Sequence, residues 1–560
     1  MRLHYNYQFV KNSEQDILIY PFSGSGSTLE PGRIILPILP SSFRTTTFYI
    51  ANALSTFRKR ICYPANMAAT RARSLPTALF SFVLLVISLS TGPQILAQTS
   101  SPPAAAPPAD GQPNAEFLAA ADEVLKQMSE ITGLSLKSPI KKTLRSREEI
   151  RAYVLRQMNE ERTPAERYAD EKSAEAFGLI PKGFDLDSFM VQLLTEQIAG
   201  LYDPKAHEFY IADWIPLEDQ RMVMAHELTH ALQDQHFQIE TWLNAAKPNG
   251  DAELAREAVL EGSAMAAMVD YMLLGTGHSM RELPSFDPSA LVGNMEDSPT
   301  LQKAPQFIKD GLIFPYFTGM MFTAAILKTS GWAAIAGVFA RPPLSTQQII
   351  HPALYFSDKK PATIELPSIA KSLGPDWKKI DEDILGEFGW KEVLKQFLDE
   401  DRAASLSSAW SGDRYILFEN TKNKRLLLVT RLRLDQAEHT DRFFGQYSEA
   451  LEKKYAERKN LLRRPNFFSF DTPDGGVFLR CVGTDCLTLE GGTRNLFAEM
   501  NSQLGWGSIP DPLQKIEDHP VKVTRRSPPA SSSGTGFPAA AFCLPAAFSR
   551  EAHSWPPPSY

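Results

Sequence analysis

Residues 222–237, MVMAHELTHALQDQHF, set two histidines and a glutamate in a pattern that constrains both local structure and chemistry. The segment has no Gly or Pro, and Met222, Val223, Leu228, Ala231 and Leu232 recur at helical spacing, which predicts a helix from about Leu217 to Phe237. On a helix, positions i and i+4 share a face about one turn apart, so His226 and His230 turn their imidazoles towards one point. Two Nε2 atoms so placed suit one tetrahedral zinc ion, and Glu227, next to the first histidine, is set to reach water at the metal rather than the metal. At the His and Glu frequencies of this chain, H-E-x-x-H arises by chance about once in a hundred such sequences, so the rest of the chain is read around it.

A catalytic zinc needs a third protein ligand and an open position. The residues after His230 are Ala-Leu-Gln-Asp-Gln-His; the glycine of H-E-x-x-H-x-x-G-x-x-H is absent and His236 falls at the wrong place for it. The stretch AREAVLEGSAMAAMVDYM, on a second predicted helix from about Asp251 to Leu274, offers Glu257 and Glu261, four apart on one face. Gly262 removes a side chain where two helices sharing an ion must come close. Asp234, one turn past His230, is a candidate to orient a ligand imidazole, or is exposed.

HELTH followed by a helix with Glu-Gly-x-Ala resembles the gluzincin class of zinc metallopeptidases. The resemblance implies a mainly helical zincin-like catalytic domain, His226, His230 and Glu261 as ligands of one catalytic Zn2+, and Glu227 as the group that activates water against a peptide bond. Members with a Glu-x-x-x-Asp second motif point to Glu257 instead, and the 30 residues between His230 and Glu261 exceed the gap usual in the Glu-Gly branch. The class also implies a Tyr or His donor to the oxyanion, for which Tyr316 and His351 are candidates. In gluzincins an edge strand above the site pairs with substrate, and EFYIA, residues 208–212, is the candidate. From about 115 to 500 the chain is similar to secreted bacterial proteins built around HELTHALQDQHF, with a preceding YDP segment, Pro315-Tyr316-x-x-Gly319 and a stretch from Ser345 to Pro352.

The remaining sequence gives the setting. Arg71 and Arg73 precede an apolar run from Leu79 to Leu89, then Gly92-Pro93 and Ala97, so residues 67–97 have the build of a signal peptide. The run is short for a membrane span. Residues 1–66 are then an over-extended start that the mature protein lacks, the alternative being an N-terminal anchor. Export places the protein outside the cell or in the periplasm, with the membrane met only in transit. Residues 98–114 form a Pro/Ala-rich linker, 115–402 the catalytic domain (its first helices within 115–200), 403–505 a C-terminal domain and 506–560 a largely disordered tail.

In the C-terminal part RYILFE, RLLLVTRLRL, FFSF, GVFLRCVG and CLTLEGG are predicted strands around a helix from about Asp435 to Glu457. This predicts an antiparallel ββαββα unit with helices on one face, and the chain as a whole is α+β. The apolar stretch 311–339, interrupted by Pro315 and Lys328, is expected as buried core helices. Cys481 and Cys486 flank a tight turn, either bridged or as buried thiols. With 58 Lys plus Arg against 65 Asp plus Glu the net charge is −7, which gives nucleic acid little electrostatic support, and the gluzincin resemblance implies peptide or protein as the substrate. An amide other than a protein backbone, such as a cell-wall peptide, or a silent zincin-like binding protein are the competing readings.

Overall fold

The computed structural model describes residues 6–11, 17–22, 112–197, 200–282 and 298–511. The signal-peptide segment, most of the linker and the tail beyond 511 lie outside the described residues. Strands β1 (Asn6–Lys11) and β2 (Ile17–Phe22) pair antiparallel. Helix α1 (Gln112–Thr132) begins inside the stretch expected to be linker.

The region 115–200, expected to hold the first helices, also holds strand β3 (Lys141–Arg145). Helix α2 (Arg147–Glu161) starts at a capping box, in which Ser146 accepts from the Glu149 N–H and the Glu149 carboxylate accepts from the Ser146 N–H. Helix α3 (Pro164–Ala176) repeats the device with Thr163 and Glu166, and α4 (Leu186–Gln197) follows. Strands β4 (Gly200–Asp203) and β5 (Glu208–Ala212) form an antiparallel hairpin, and β3 runs parallel to β5 on its other side. EFYIA is therefore the central strand of three, buried along its length, and has no free edge for a substrate. The expectation failed because the partner that covers it lies more than sixty residues earlier, in a segment with no alternating pattern.

Helix α5 (Leu217–Phe237) carries HELTH and packs against α1 and against α6 (Gly250–Met272), which Asn249 caps through the Ala252 N–H. Helix α7 (Gln306–Ser330) runs through Pro315 without a break and lies along α6. It is long and apolar enough to cross a membrane, yet 67% of its apolar window is buried inside the molecule. Glycines make the close crossing possible: a Cβ on Gly262 would lie 2.0 Å from the backbone of Gly319.

The larger sheet begins earlier than position 403, with β6 (Trp377–Asp383). Helices α8 (Gly386–Lys395) and α9 (Glu400–Ser407) precede β7 (Trp410–Asn420) and β8 (Leu426–Leu434). Helix α10 (Ala437–Lys454) leads to β9 (Lys459–Arg464), β10 (Phe467–Thr472), β11 (Gly475–Val482), β12 (Asp485–Gly492) and α11 (Arg494–Gln503). The strands order β6-β7-β8-β12-β11-β10-β9, all antiparallel. The expected ββαββα is thus a seven-stranded sheet whose two outer strands, charge-rich and weakly alternating, were not recognised. Its helices also take both faces. Leu428 and Leu432 join Phe443 and Tyr447 of α10 in one core, while Leu427 and Val429 join Leu496, Phe497 and Met500 of α11 in another. Cys481 and Cys486 sit opposite each other on β11 and β12 and are disulfide-bonded.

Candidate metal centre

The absence of Gly and Pro lets α5 run unbroken past HELTH, and its burial between α1 and α6 takes both imidazoles out of water. His226, Glu227, His230 and Glu261 are 1%, 0%, 2% and 0% exposed. His226 Nε2 and His230 Nε2 lie 3.0 Å apart, and Glu261 Oε2 is 3.1 Å from the first and 3.3 Å from the second. One ligand atom from each falls within 4.8 Å of the others, so the three residues can hold a metal ion. Ligands at about 2.0–2.1 Å from a tetrahedral ion are about 3.3–3.4 Å from one another, so the spacing matches a shared cation. The donor set agrees: Glu227 Oε1 and Glu261 Oε1 are buried without a hydrogen-bond partner, a costly arrangement that a dication offsets.

Electrostatics at the centre follow from burial and proximity. Burial pushes the Glu227 carboxyl up to about 8, against the opposing field of His230. Burial also raises the Glu261 carboxyl, but the two imidazoles outweigh it and hold that carboxyl below its ordinary range. His226 is lowered, chiefly by burial. His230 loses by burial and gains more from Glu261, ending at about 9.

Glu227 is held from an unexpected side. Its Oε2 accepts the backbone N–H of Tyr202 on β4 at 2.8 Å, so the small sheet fixes one oxygen and leaves the other facing inward. Tyr316 of α7 is brought to the same place. Its ring stacks over His226 with centroids 6.0 Å apart, and its hydroxyl donates to Glu261. Burial and the carboxylates of Glu261, Glu227 and Glu257 raise the phenol well above its ordinary value. Glu257 is buried nearby but is not among the convergent ligand atoms.

Two expected residues are placed elsewhere. His351 Nε2 lies 2.8 Å from Glu387 Oε1, and that hydrogen bond raises its pKa; it is not among the convergent ligand atoms. Asp234 does not orient a ligand imidazole: its Oδ2 accepts the Tyr202 hydroxyl at 2.9 Å and lies 3.1 Å from His207 Nδ1, while its Oδ1 accepts the Ile239 N–H. The residue beside it does meet a ligand. Gln233 Oε1 is 3.0 Å from His230 Nδ1, and Gln233 Nε2 donates to Ser263 Oγ at 2.8 Å. Glutamine at i+3 carries no signal in sequence; only the helix period placed it on the His230 face.

Comparison with known proteins adds little chemistry. A family model, Domain of unknown function (DUF8575), matches residues 374–499, which spans the seven-stranded sheet and leaves the metal helices outside. No curated protein matches. A crystal structure from Chloroflexus aurantiacus, described as "a putative hydrolase with a novel fold", is similar at 15% identity over 44% of this chain and 89% of that one. Its TM-score of 0.29 is too low to bear on fold or chemistry.

Proposed function

We propose that this chain is an exported zinc-dependent metallopeptidase of the gluzincin kind, with a zincin-like helical region around α5 and α6. The observation that carries the reading is the convergence of His226, His230 and Glu261 beside a Glu227 carboxylate with one oxygen unpartnered. A zinc ion held there would act as a Lewis acid, bringing the pKa of a water to about 7 and polarising a carbonyl.

The chain's own groups supply the rest. Glu227, fixed at Oε2 by the Tyr202 N–H, keeps Oε1 to take a proton from the attacking water and return it to the leaving amine. Tyr316 has a buried hydroxyl beside the ligands and is assigned as donor to the carbonyl oxygen as negative charge develops on it. His351, paired with Glu387, takes no part. Residues 67–97 are proposed as the cleaved signal and 1–66 as untranslated, with a disulfide in the sheet that suits an oxidising compartment. A mature chain beginning before residue 67 would overturn the reading of 1–66 as untranslated.

The burial of all four central side chains favours a second reading, a zincin-like envelope protein that keeps the site without turnover. An amide other than a protein backbone, such as a cell-wall peptide, remains within the first. The test uses the full chain: bound metal, and cleavage of casein or a peptide library, for wild type and Glu227→Gln. One zinc per chain, with cleavage reduced about 100–10,000-fold and zinc retained in the variant, is the expected result. Zinc without cleavage in either form selects the silent reading, and cleavage untouched by Glu227→Gln removes the mechanism. Glu261→Ala should lose zinc and Glu257→Ala keep it; the reverse would transfer the third ligand to Glu257.

A further inference from the structure

We propose that Gln233 is a positioning residue that fixes His230 as an Nε2 ligand through a one-way hydrogen-bond chain ending on the backbone of α6. The inference rests on the metal reading above. Its direction is set from the far end. The Ser263 hydroxyl has one proton, and its two neighbouring acceptors, the carbonyl oxygens of Val259 at 2.6 Å and Leu260 at 3.1 Å, can only accept. The proton therefore goes to the backbone, and Ser263 Oγ must accept at its remaining face. That face meets Gln233 Nε2 at 2.8 Å, which turns Gln233 Oε1 towards His230 Nδ1 at 3.0 Å. An oxygen there demands Nδ1–H, and in the neutral ring that a metal takes as ligand this leaves the lone pair on Nε2, aimed at His226 and Glu261.

The flipped amide fails at both ends. It would set Gln233 Oε1 against a serine oxygen whose proton is already given to a carbonyl. It would also place an N–H against Nδ1 and force the ring proton onto Nε2, among the ligand atoms. Gln233 and Ser263 are 2% and 1% exposed, so water does not stand in for either. The chain also ties the two ligand-bearing helices together, because Gln233 lies three residues after His230 and Ser263 two after Glu261. His226 has no counterpart, its Nδ1 being buried without a partner. The two histidines are thus unequal: of the pair, only His230 has its Nδ1 held by a hydrogen bond among the described residues.

The measurement is zinc affinity of the full chain by competition with a chromogenic chelator, alongside the thermal midpoint of the metal-free form. Gln233→Met keeps the length and removes the acceptor; zinc affinity should fall about 10–100-fold. Gln233→Glu keeps an oxygen facing Nδ1–H, its second oxygen drawing the Ser263 hydroxyl proton away from the backbone carbonyls, and should restore affinity to within a few-fold of wild type, which a purely structural glutamine would not predict. Ser263→Ala, a helix-compatible change, should weaken binding in the same direction and serves if Gln233→Met does not fold. Wild-type binding unchanged in both Gln233→Met and Ser263→Ala overturns the chain of bonds alone. Equal losses in Gln233→Met and Gln233→Glu overturn it as well. A wild type that binds neither zinc nor cobalt overturns the metal reading, and this inference with it.

Discussion

Asp251, at the amino end of α6, carries a carboxyl that burial pushes up to about 7, helped by Asp413 and Asp383 and opposed by the Thr346 N–H and hydroxyl. A carboxyl raised in the folded state holds its proton better there than in the unfolded chain. Its stabilising contribution is whole below the ordinary aspartate pKa of 3.8 and is lost as pH climbs through the folded value of about 7. Asp251→Asn keeps an oxygen for Thr346 and cannot ionise. The stability of wild type relative to this variant should fall steadily across that window, as read by denaturant midpoints at several pH values; a constant difference would show that Asp251 does not titrate there. The residue scale is also where sequence reading succeeds or stalls. His226, Glu227 and His230 were legible because a five-residue motif states their geometry, and Glu261 because a glycine follows it. Gln233 was not, since nothing distinguishes a buried glutamine from an exposed one, and Asp234 next to it drew the role instead. His351 looked exceptional between apolar neighbours, yet its partner Glu387 is distant in sequence.

Among elements, the crossing of α6 and α7 does most to assemble the site, since it brings Glu261 and Tyr316 together. It depends on bare backbone at Gly262 and Gly319, where an added Cβ would fall 2.0 Å from main-chain atoms on the other helix. Neither helix can yield there without moving Glu261 or Tyr316. Gly262→Ala should therefore cost about 1–3 kcal/mol by overpacking, and lower zinc affinity along with it. Denaturant unfolding and metal content would show both; loss of stability with metal binding intact would mean the crossing does not govern the centre. The α5 boundaries were readable from periodicity, Leu217 to Phe237 as expected. The polar strand KKTLR at β3 was not, because its reason for being extended is the parallel edge of β5.

At the scale of the molecule, the helices before α5 and the sheet after it share a single apolar core, in which Ile150, Phe177 and Leu194 lie with Trp390, Tyr415 and Leu479. The described residues through Pro510 accordingly cluster as one unit, so a cut at 402/403 would strip both sides of their packing. Residues 115–402 expressed alone should be insoluble or lack a cooperative unfolding transition, whereas 112–511 should unfold cooperatively by calorimetry; a soluble, metal-binding 115–402 fragment would contradict this. The line between helical and sheet regions could not be seen in the sequence, because apolar residues on either side look alike whichever partner they meet.

The near-total enclosure of His226, His230 and Glu261 also governs how quickly a cation can leave. Escape must wait for an opening of the surrounding helices, so a chelator captures only what those openings release. Loss of a bound cation should follow a slow exponential whose rate levels off at high chelator concentration, and brief treatment would leave the ion in place. A short EDTA incubation would then fail to register a cation held there, and the experiment has to be run as a time course in mild denaturant to read it correctly.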